Sequence, residues 1–261
     1  MTKLVADLGG THIRFALSDT DDCALHSIEK FTIRDYENIE HLLQVYLREK
    51  SASIEACCIA VAGPIVDQSV KMTNTDWILN ATDINTYLDI ELVKFINDFE
   101  AIAYSIGRLP DNSLIDIGSV QSETSNGPIS LFGPGTGLGA ALLVPTDSYS
   151  YKVIATEGGH AGLSARSEDE LSIFEYWRDK GCRINREFFI CGSGIERIHE
   201  ALCFSVGITA RKSLTAATIQ QLGCNGNDEV CAKTMNIFCS FLGSAAGCLL
   251  YTSPSPRDTE V

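Results

Sequence analysis

The chain has 261 residues, enough for one large domain or two of ordinary size. Hydrophobic residues make up 45% of it and charged residues 21%, which is typical of a folded globular protein rather than a disordered one. The formal net charge is −14 and no basic run occurs, which argues against binding to nucleic acid or to an anionic membrane. Any anionic ligand is therefore expected to be held locally, by backbone N–H groups and a metal ion.

The sequence also favours a cytoplasmic location. No segment approaches the roughly 18 consecutive apolar residues of a membrane span. The first ten residues lack the basic region and apolar core of a signal peptide. The ten cysteines include no C-x-x-C pair, so we expect them to be mostly reduced and buried, with a metal cluster as the alternative.

Alternating and apolar runs predict the elements of the first half of the chain. We expect strands at residues 3–8, 13–18, 29–33, 56–62 and 93–96, and helices at residues 36–50 and 99–106. With a further helix before the last strand, the order is β-β-β-α-β-α-β-α. This order predicts a mixed sheet with helices on its faces.

A second unit is predicted after the polar stretch at residues 121–128. Strands at residues 129–132 and 138–144 form a hairpin closed over glycines, and helices follow at residues 168–180, 194–205, 216–222 and 228–247. Two strand–glycine-turn–strand units in separate sheets predict two related lobes around a cleft.

Two glycine-rich turns are candidates for binding phosphate. In the first, Gly9, Gly10 and Thr11 follow Asp7, whose carboxylate could hold a metal ion through water. An ordinary Gly-Gly hairpin is the alternative. The second turn carries four glycines in seven residues, which a plain hairpin does not need; it includes Gly133, Gly135, Thr136 and Gly137. It is neither a P-loop nor a dinucleotide-binding fingerprint, because neither Gly-Lys-Ser/Thr nor a helix follows.

Three further stretches carry polar side chains at positions suited to chemistry. Asn97 and Asp98 end a predicted strand, where Asp98 is either a general base or part of a helix N-cap. Glu157 and His160 flank two glycines and could converge on a polyhydroxylated ligand, with a metal site or a surface turn as alternatives. Glu187 lies just before a Gly-Ser-Gly turn at residues 192–194, a platform suited to an anion or a ribose.

Taken together and in this order, these stretches resemble the bacterial glucokinase family of the sugar kinase, actin and heat-shock ATPase superfold. The resemblance runs from about residue 3 to about residue 247. It implies an α/β, two-lobed actin-like ATPase (ribonuclease H-like) fold with a mixed sheet and flanking helices in each lobe. The expected boundaries are 1–110 for the smaller lobe and 111–247 for a larger, incomplete second lobe.

The resemblance also implies an activity, which is transfer of the γ-phosphate of ATP to the 6-hydroxyl of glucose. In the family pattern, Asp98 accepts the hydroxyl proton, and sugar ligands correspond to Asn97, Glu157, His160, Glu187 and Asn74, the last in a substrate-side loop at residues 73–77. The two glycine turns and Mg²⁺, held through Asp7, would bind the phosphates. The family further implies a homodimer for the full-length protein.

The sequence departs from the family pattern at several points. His12 stands where relatives often have a small amide residue. The related ROK kinases carry a Cys-rich zinc motif after the histidine, but Ala-Gly-Leu-Ser-Ala-Arg follows His160, so we expect no zinc. Residues 248–261 resemble a translated sequencing adapter, and we expect them to be an artefactual tail and the fragment to bind ATP poorly.

Other functions share some of these features. A kinase of another hexose would carry the same motifs. A non-catalytic sugar sensor would not need Asp98 and both glycine turns, and an actin-like or chaperone ATPase would not need the set Glu157, His160 and Glu187.

Overall fold

A computed structural model describes residues 2–19, 24–50, 52–72, 75–115, 117, 127–147, 150–208 and 214–252. The chain divides into two compact units, Met1–Leu114 and Ile115–Val261. The position of Asn74, predicted to contact the sugar, lies outside the described residues, as do residues 253–261.

The first unit is built on a five-stranded sheet in the order β3-β2-β1-β4-β7. Its strands and those of a small separate pair are β1 (Thr2–Leu8), β2 (His12–Asp19), β3 (Leu25–Thr32), β4 (Ile54–Val61), β5 (Ser69–Lys71), β6 (Ile78–Asn80) and β7 (Leu92–Asn97). Its helices are α1 (Ile39–Leu47), α2 (Ala81–Leu88) and α3 (Asp98–Ser105).

The sheet of the first unit is mixed, as the sequence predicted. Strand β1 is antiparallel to β2 and parallel to β4, and β4 is parallel to β7. Every second residue of the strands points to one face of the sheet and forms the core with α1, α2 and the β5–β6 pair. In this core Phe15 packs against Tyr46 of α1, with ring centroids 4.9 Å apart. Because β1, β4 and β7 are parallel, their carboxyl ends meet at one edge, which brings the first glycine turn near Asn97 and Asp98.

The second unit combines a three-stranded sheet with a set of helices. Its described strands, β8 (Ile129–Pro134), β9 (Leu138–Asp147) and β10 (Ser150–Thr156), are all antiparallel, unlike the mixed sheet expected in each lobe. Its helices are α4 (Glu168–Asp179), α5 (Arg186–Phe189), α6 (Gly192–Ser205), α7 (Ala216–Cys224) and α8 (Glu229–Thr252). Its core is aromatic: Phe189 stacks on Phe174 and on Phe241.

The sequence did not reveal β5, β6, β10 or α5. Strands of three residues are too short to show an alternating pattern, and a four-residue helix shows no helical period. Helix α8 extends to Thr252, five residues beyond the expected limit at Gly247.

The cysteines differ in part from the expectation of burial. The nine cysteines among the described residues are free, and four of them, Cys57, Cys191, Cys203 and Cys231, are buried. Cys224, Cys239 and Cys248 are exposed instead, because they lie on outward faces of α7 and α8. No helix in the described part of the chain has the length and apolar composition needed to cross a bilayer.

Candidate active site

The first glycine turn connects β1 to β2 and closes on itself. The Gly9 N–H donates to the His12 carbonyl at 2.9 Å. Gly9 therefore shapes the hairpin with its N–H, and its predicted part in binding phosphate stays a prediction. A pocket of about 260 Å³ lies at this turn and is lined by Asp7, Gly9, Gly10, Thr11, His12, Arg14 and Lys30.

Two cationic side chains in this pocket were missed from the sequence. Asp7 of β1 pairs in register with Arg14 of β2, and Arg14 pairs with Lys30 of β3, so the three side chains lie in a row on one sheet face. Arg14 Nη1 lies 3.0 Å from Asp7 Oδ2. An anion at this turn would thus meet cationic side chains as well as backbone N–H groups. The signal was present in the alternation of β2, which places Arg14 on the same face as His12.

Asn97 and Asp98 lie at the junction of β7 and α3, and Asn97 takes the N-cap position. Asn97 is the N-cap of α3, and its Oδ1 accepts hydrogen bonds from the N–H groups of Phe99 and Glu100 at 2.9 and 3.3 Å. Asp98 is the first residue of the helix, and its half-buried carboxylate accepts a hydrogen bond from the Phe99 N–H at 2.8 Å and another from the Asn97 side chain.

The environment of Asp98 makes its carboxylate more basic than usual. Burial raises the pKa of Asp98, and the negative charge of Asp7 raises it further, although the hydrogen bond from Phe99 opposes both effects. A carboxylate with a raised pKa is a better proton acceptor at neutral pH than an exposed aspartate.

The second glycine turn, between β8 and β9, is fastened to α5 and α6. The Gly135 N–H donates to the Gly137 carbonyl at 2.8 Å, and the Gly192 N–H donates to the Gly135 carbonyl at 2.9 Å. Glu187 Oε2 accepts a hydrogen bond from the Leu138 N–H at 2.9 Å. Among the described residues, no hydrogen bond uses the N–H of Thr136 or Gly137, so these two can serve a ligand.

Glu157 and His160 lie close together beside this turn. A short 3-10 helix, Gly158–His160, brings Glu157 Oε2 to 3.6 Å from His160 Nε2. On its other side the His160 ring contacts Asn185, with 3.3 Å between Asn185 Nδ2 and His160 Nδ1. Both predicted side chains are exposed, and Asn185 is a polar neighbour that sequence analysis missed, since it is 25 residues away along the chain.

A pocket of about 270 Å³ joins the second turn to Glu187. Its lining residues are Thr136, Arg183, Asn185, Glu187, Phe188, Cys191, Ser193 and Arg197. Arg197 is fixed there by Phe188. Its guanidinium carbon lies 4.5 Å from the centre of the Phe188 ring, and its Nη1 donates to the Phe188 carbonyl at 2.7 Å. The Gly-Ser-Gly segment begins α6 beside this pocket.

The donor set at the first turn fits Mg²⁺ better than zinc. Mg²⁺ keeps several waters and takes one or two carboxylates together with substrate phosphates, and Asp7 offers one exposed carboxylate. In the described part of the chain, no three His, Cys, Asp or Glu side chains are grouped as a metal site would need.

A model of the family described as glucokinase matches residues 4–255. The glucokinase of Campylobacter jejuni subsp. doylei is 35% identical over 251 residues, which cover 96% of this chain and 75% of that protein. The glucokinase of Helicobacter pylori is 34% identical over 253 residues, with 94% and 75% covered.

Solved structures agree with this relationship. A glucokinase from an Antarctic psychrotroph superposes with a TM-score of 0.83 at 34% identity, covering 97% of this chain and 79% of that one. More distant structures share the fold: a glucokinase of Balamuthia mandrillaris in complex with glucose (TM-score 0.75, 21% identity, 95% and 75% covered), and a ROK family glucokinase of Streptomyces griseus in complex with glucose and AMPPNP (0.61, 16%, 97% and 80%). This chain therefore belongs to the glucokinase family, and its fold is that of the actin-like sugar kinases.

Proposed function

We propose that this protein transfers the γ-phosphoryl group of ATP to the 6-hydroxyl of glucose, with Asp98 as the general base. The observation that carries the proposal is the half-buried Asp98 carboxylate at the end of β7, whose pKa is raised by burial and by Asp7. Family membership supports the reaction class. The complexes of two structural neighbours with glucose, one of them also with AMPPNP, support the pair of substrates.

Each unit carries side chains proposed to contact the sugar. Asn97 caps α3 through its Oδ1 and also hydrogen-bonds the Asp98 carboxylate, so it would orient the base as well as contact a sugar hydroxyl. Glu157 and His160 form an exposed pair that can accept and donate to neighbouring hydroxyls. The proposal assigns Glu187 and Asn74 to the same ligand.

Each glycine turn is proposed, by itself, as a place for phosphate oxygens. The N–H groups of Thr136 and Gly137 are the donors in the second turn, and Arg14 and Lys30 add positive charge at the first. Mg²⁺, held through Asp7, would neutralise charge on the phosphates when bound. The Arg14 guanidinium, whose Nη1 lies 3.0 Å from Asp7 Oδ2, is at the same turn and could donate to a phosphate oxygen as well.

In the reaction, Asp98 accepts the proton of the 6-hydroxyl as its oxygen forms a bond to the γ-phosphorus. The bond from that phosphorus to the bridging oxygen breaks, and ADP leaves with the electron pair. Such transfers depend mainly on positioning and on neutralising charge. Asp98 therefore matters for turnover more than for holding the sugar.

Replacing the proposed base tests this assignment. Asp98→Asn keeps the size and the hydrogen bond from Phe99 but cannot accept a proton. We expect kcat to fall by about 10²–10⁴-fold, whereas glucose affinity measured by calorimetry changes far less. Turnover at the wild-type level would contradict the assignment.

The pH dependence provides a second check on Asp98. Because the folded protein raises the pKa of this carboxyl, turnover should rise with pH with a midpoint above that of an exposed aspartate. Asp7→Asn, which removes the nearby negative charge, should lower the midpoint of the Asp98 titration followed by NMR without Mg-ATP; turnover is not used for this variant because it also lacks the proposed Mg²⁺ ligand. The turnover assay on a panel of hexoses would identify the preferred sugar.

The proposal also takes from the family a cytoplasmic homodimer. Light scattering distinguishes a dimer from a monomer, because a dimer has twice the 28.3 kDa mass of this chain. A single-chain mass for the full-length protein would contradict the homodimer.

A further inference from the structure

A tight turn before β5 has an unusual backbone. Val66 and Ser69 exchange hydrogen bonds, with the two N–H···O distances at 3.0 and 2.8 Å. Between them, Asp67 and Gln68 both have positive φ, 49° and 53°. Turns of this kind normally take asparagine and glycine, because a Cβ disfavours the left-handed conformation. Gln68 is thus held in a left-handed conformation that residues with a Cβ disfavour.

Gln68 makes two hydrogen bonds that join separate elements of the first unit. Its side-chain Oε1 accepts from the Phe95 N–H of β7 at 2.9 Å. Its backbone carbonyl accepts from the Ala81 N–H, at the start of α2, at 3.1 Å. The turn therefore fixes one side chain against the sheet.

The Phe95 N–H lies on the outer edge of β7, where it bonds the Gln68 side chain instead of a strand. Among the strands that the structure describes, β7 is at the edge of the five-stranded sheet, next to β4. An edge strand presents N–H groups without a strand partner, and the Phe95 N–H is one that Gln68 satisfies. The Phe95 side chain is buried in the core. Phe95 is therefore fixed twice, by the hydrogen bond that its N–H donates to Gln68 and by the packing of its ring.

The fixed residue lies just before the proposed base. Phe95 precedes Asn97 by two residues and Asp98 by three, and β7 runs directly into α3. We propose that Gln68 is a positioning residue, which holds the end of β7 so that Asp98 and Asn97 keep their orientation toward the sugar. This inference rests on the proposed function and deepens it.

Two substitutions with side chains about as long as glutamine test the role of the acceptor atom, Gln68 Oε1. Gln68→Met removes the acceptor, and Gln68→Glu keeps one, while both remain non-glycine residues with positive φ. Asp67→Ala is a matched control, because it alters the adjacent residue of the same turn without removing the bond to Phe95. Thermal unfolding of all three variants would show that each is folded.

Three measurements separate positioning from plain stabilisation. In Gln68→Met we expect the Phe95 amide to exchange about tenfold faster and kcat to fall about three- to tenfold, with the unchanged KM for ATP as a reference. We expect the NMR titration midpoint of the Asp98 carboxyl to shift as well. Gln68→Glu should restore all three to wild-type values, and Asp67→Ala should leave kcat and the Asp98 titration near wild type.

Several outcomes would overturn the inference. One is unchanged exchange at Phe95 in Gln68→Met, and another is faster exchange with wild-type kcat and an unshifted Asp98 titration. Equal loss of kcat in Asp67→Ala would assign the effect to the turn as a whole. If the wild-type protein neither turns over nor binds glucose, the proposed function fails, whereas amide exchange at Phe95 in Gln68→Met still shows whether Gln68 holds the end of β7.

Discussion

At the scale of single residues, Glu187 belongs both to the proposed sugar ligands and to the support of the second glycine turn. Its carboxylate accepts the Leu138 N–H and lies against Gly137, while the same side chain lines the pocket with Thr136. A group proposed to bind sugar hydroxyls thus also holds the turn proposed to bind phosphate. Because the residues are 49 positions apart, the sequence could suggest both roles but not their contact.

Gly137→Ala tests this contact. A Cβ at Gly137 would lie 2.5 Å from Glu187 Oε2, so the carboxylate must move and give up the Leu138 N–H. We expect the free energy of unfolding to fall by about 1–2 kcal/mol, measured by urea denaturation.

The double variant Gly137→Ala with Glu187→Ala is the control for that experiment. Without the Glu187 side chain there is no close contact, so Gly137→Ala should be nearly neutral in this background. Additive effects of the two substitutions would contradict the proposed contact.

At the scale of elements, close helix packing in the second unit depends on glycine. Gly223 of α7 lies against the backbone of α8, and a Cβ there would lie 2.6 Å from the Cys231 carbonyl oxygen. In contrast, Gly243 of α8 is exposed, and nothing lies within 4 Å of a Cβ built on it. One helical glycine is therefore required by packing and the other is not.

This difference predicts opposite effects of the same substitution. Gly223→Ala must push two backbones apart and should destabilise the protein by roughly 1–3 kcal/mol. Gly243→Ala should stabilise it by about 0.5–1 kcal/mol, because alanine favours the helix over the unfolded chain. Thermal unfolding of both variants measures this, and equal effects of the two would contradict the packing of α7 on α8.

Elements with a strong period were predictable from the sequence. The alternation of β2 and the apolar positions of α1 led to the right elements, with bounds that differ by a few residues. The β5–β6 pair was missed because each strand has three residues and is held by neighbours rather than by its own pattern. Arg14 and Asn185 were missed as site residues because pairing across strands and loops, rather than spacing, brings them there.

At the scale of the whole molecule, an acidic protein is proposed to bind an acidic nucleotide. With a formal net charge of −14, long-range attraction does not favour ATP. Cationic side chains are instead placed beside each glycine turn: Arg14 and Lys30 at the first, Arg183 and Arg197 at the second. The family could be inferred from the sequence because five separated motifs agree in order, whereas these local charges became visible only in the folded units.

The most direct test of the central claim is to follow the reaction itself. The 261-residue protein would be incubated with Mg-ATP and glucose, and the products would be identified by ³¹P and ¹³C NMR. We expect ADP together with a phosphate monoester on the 6-oxygen of glucose, and no such product with Asp98→Asn. The absence of this product from the wild-type reaction, combined with no glucose binding by calorimetry, would contradict the account.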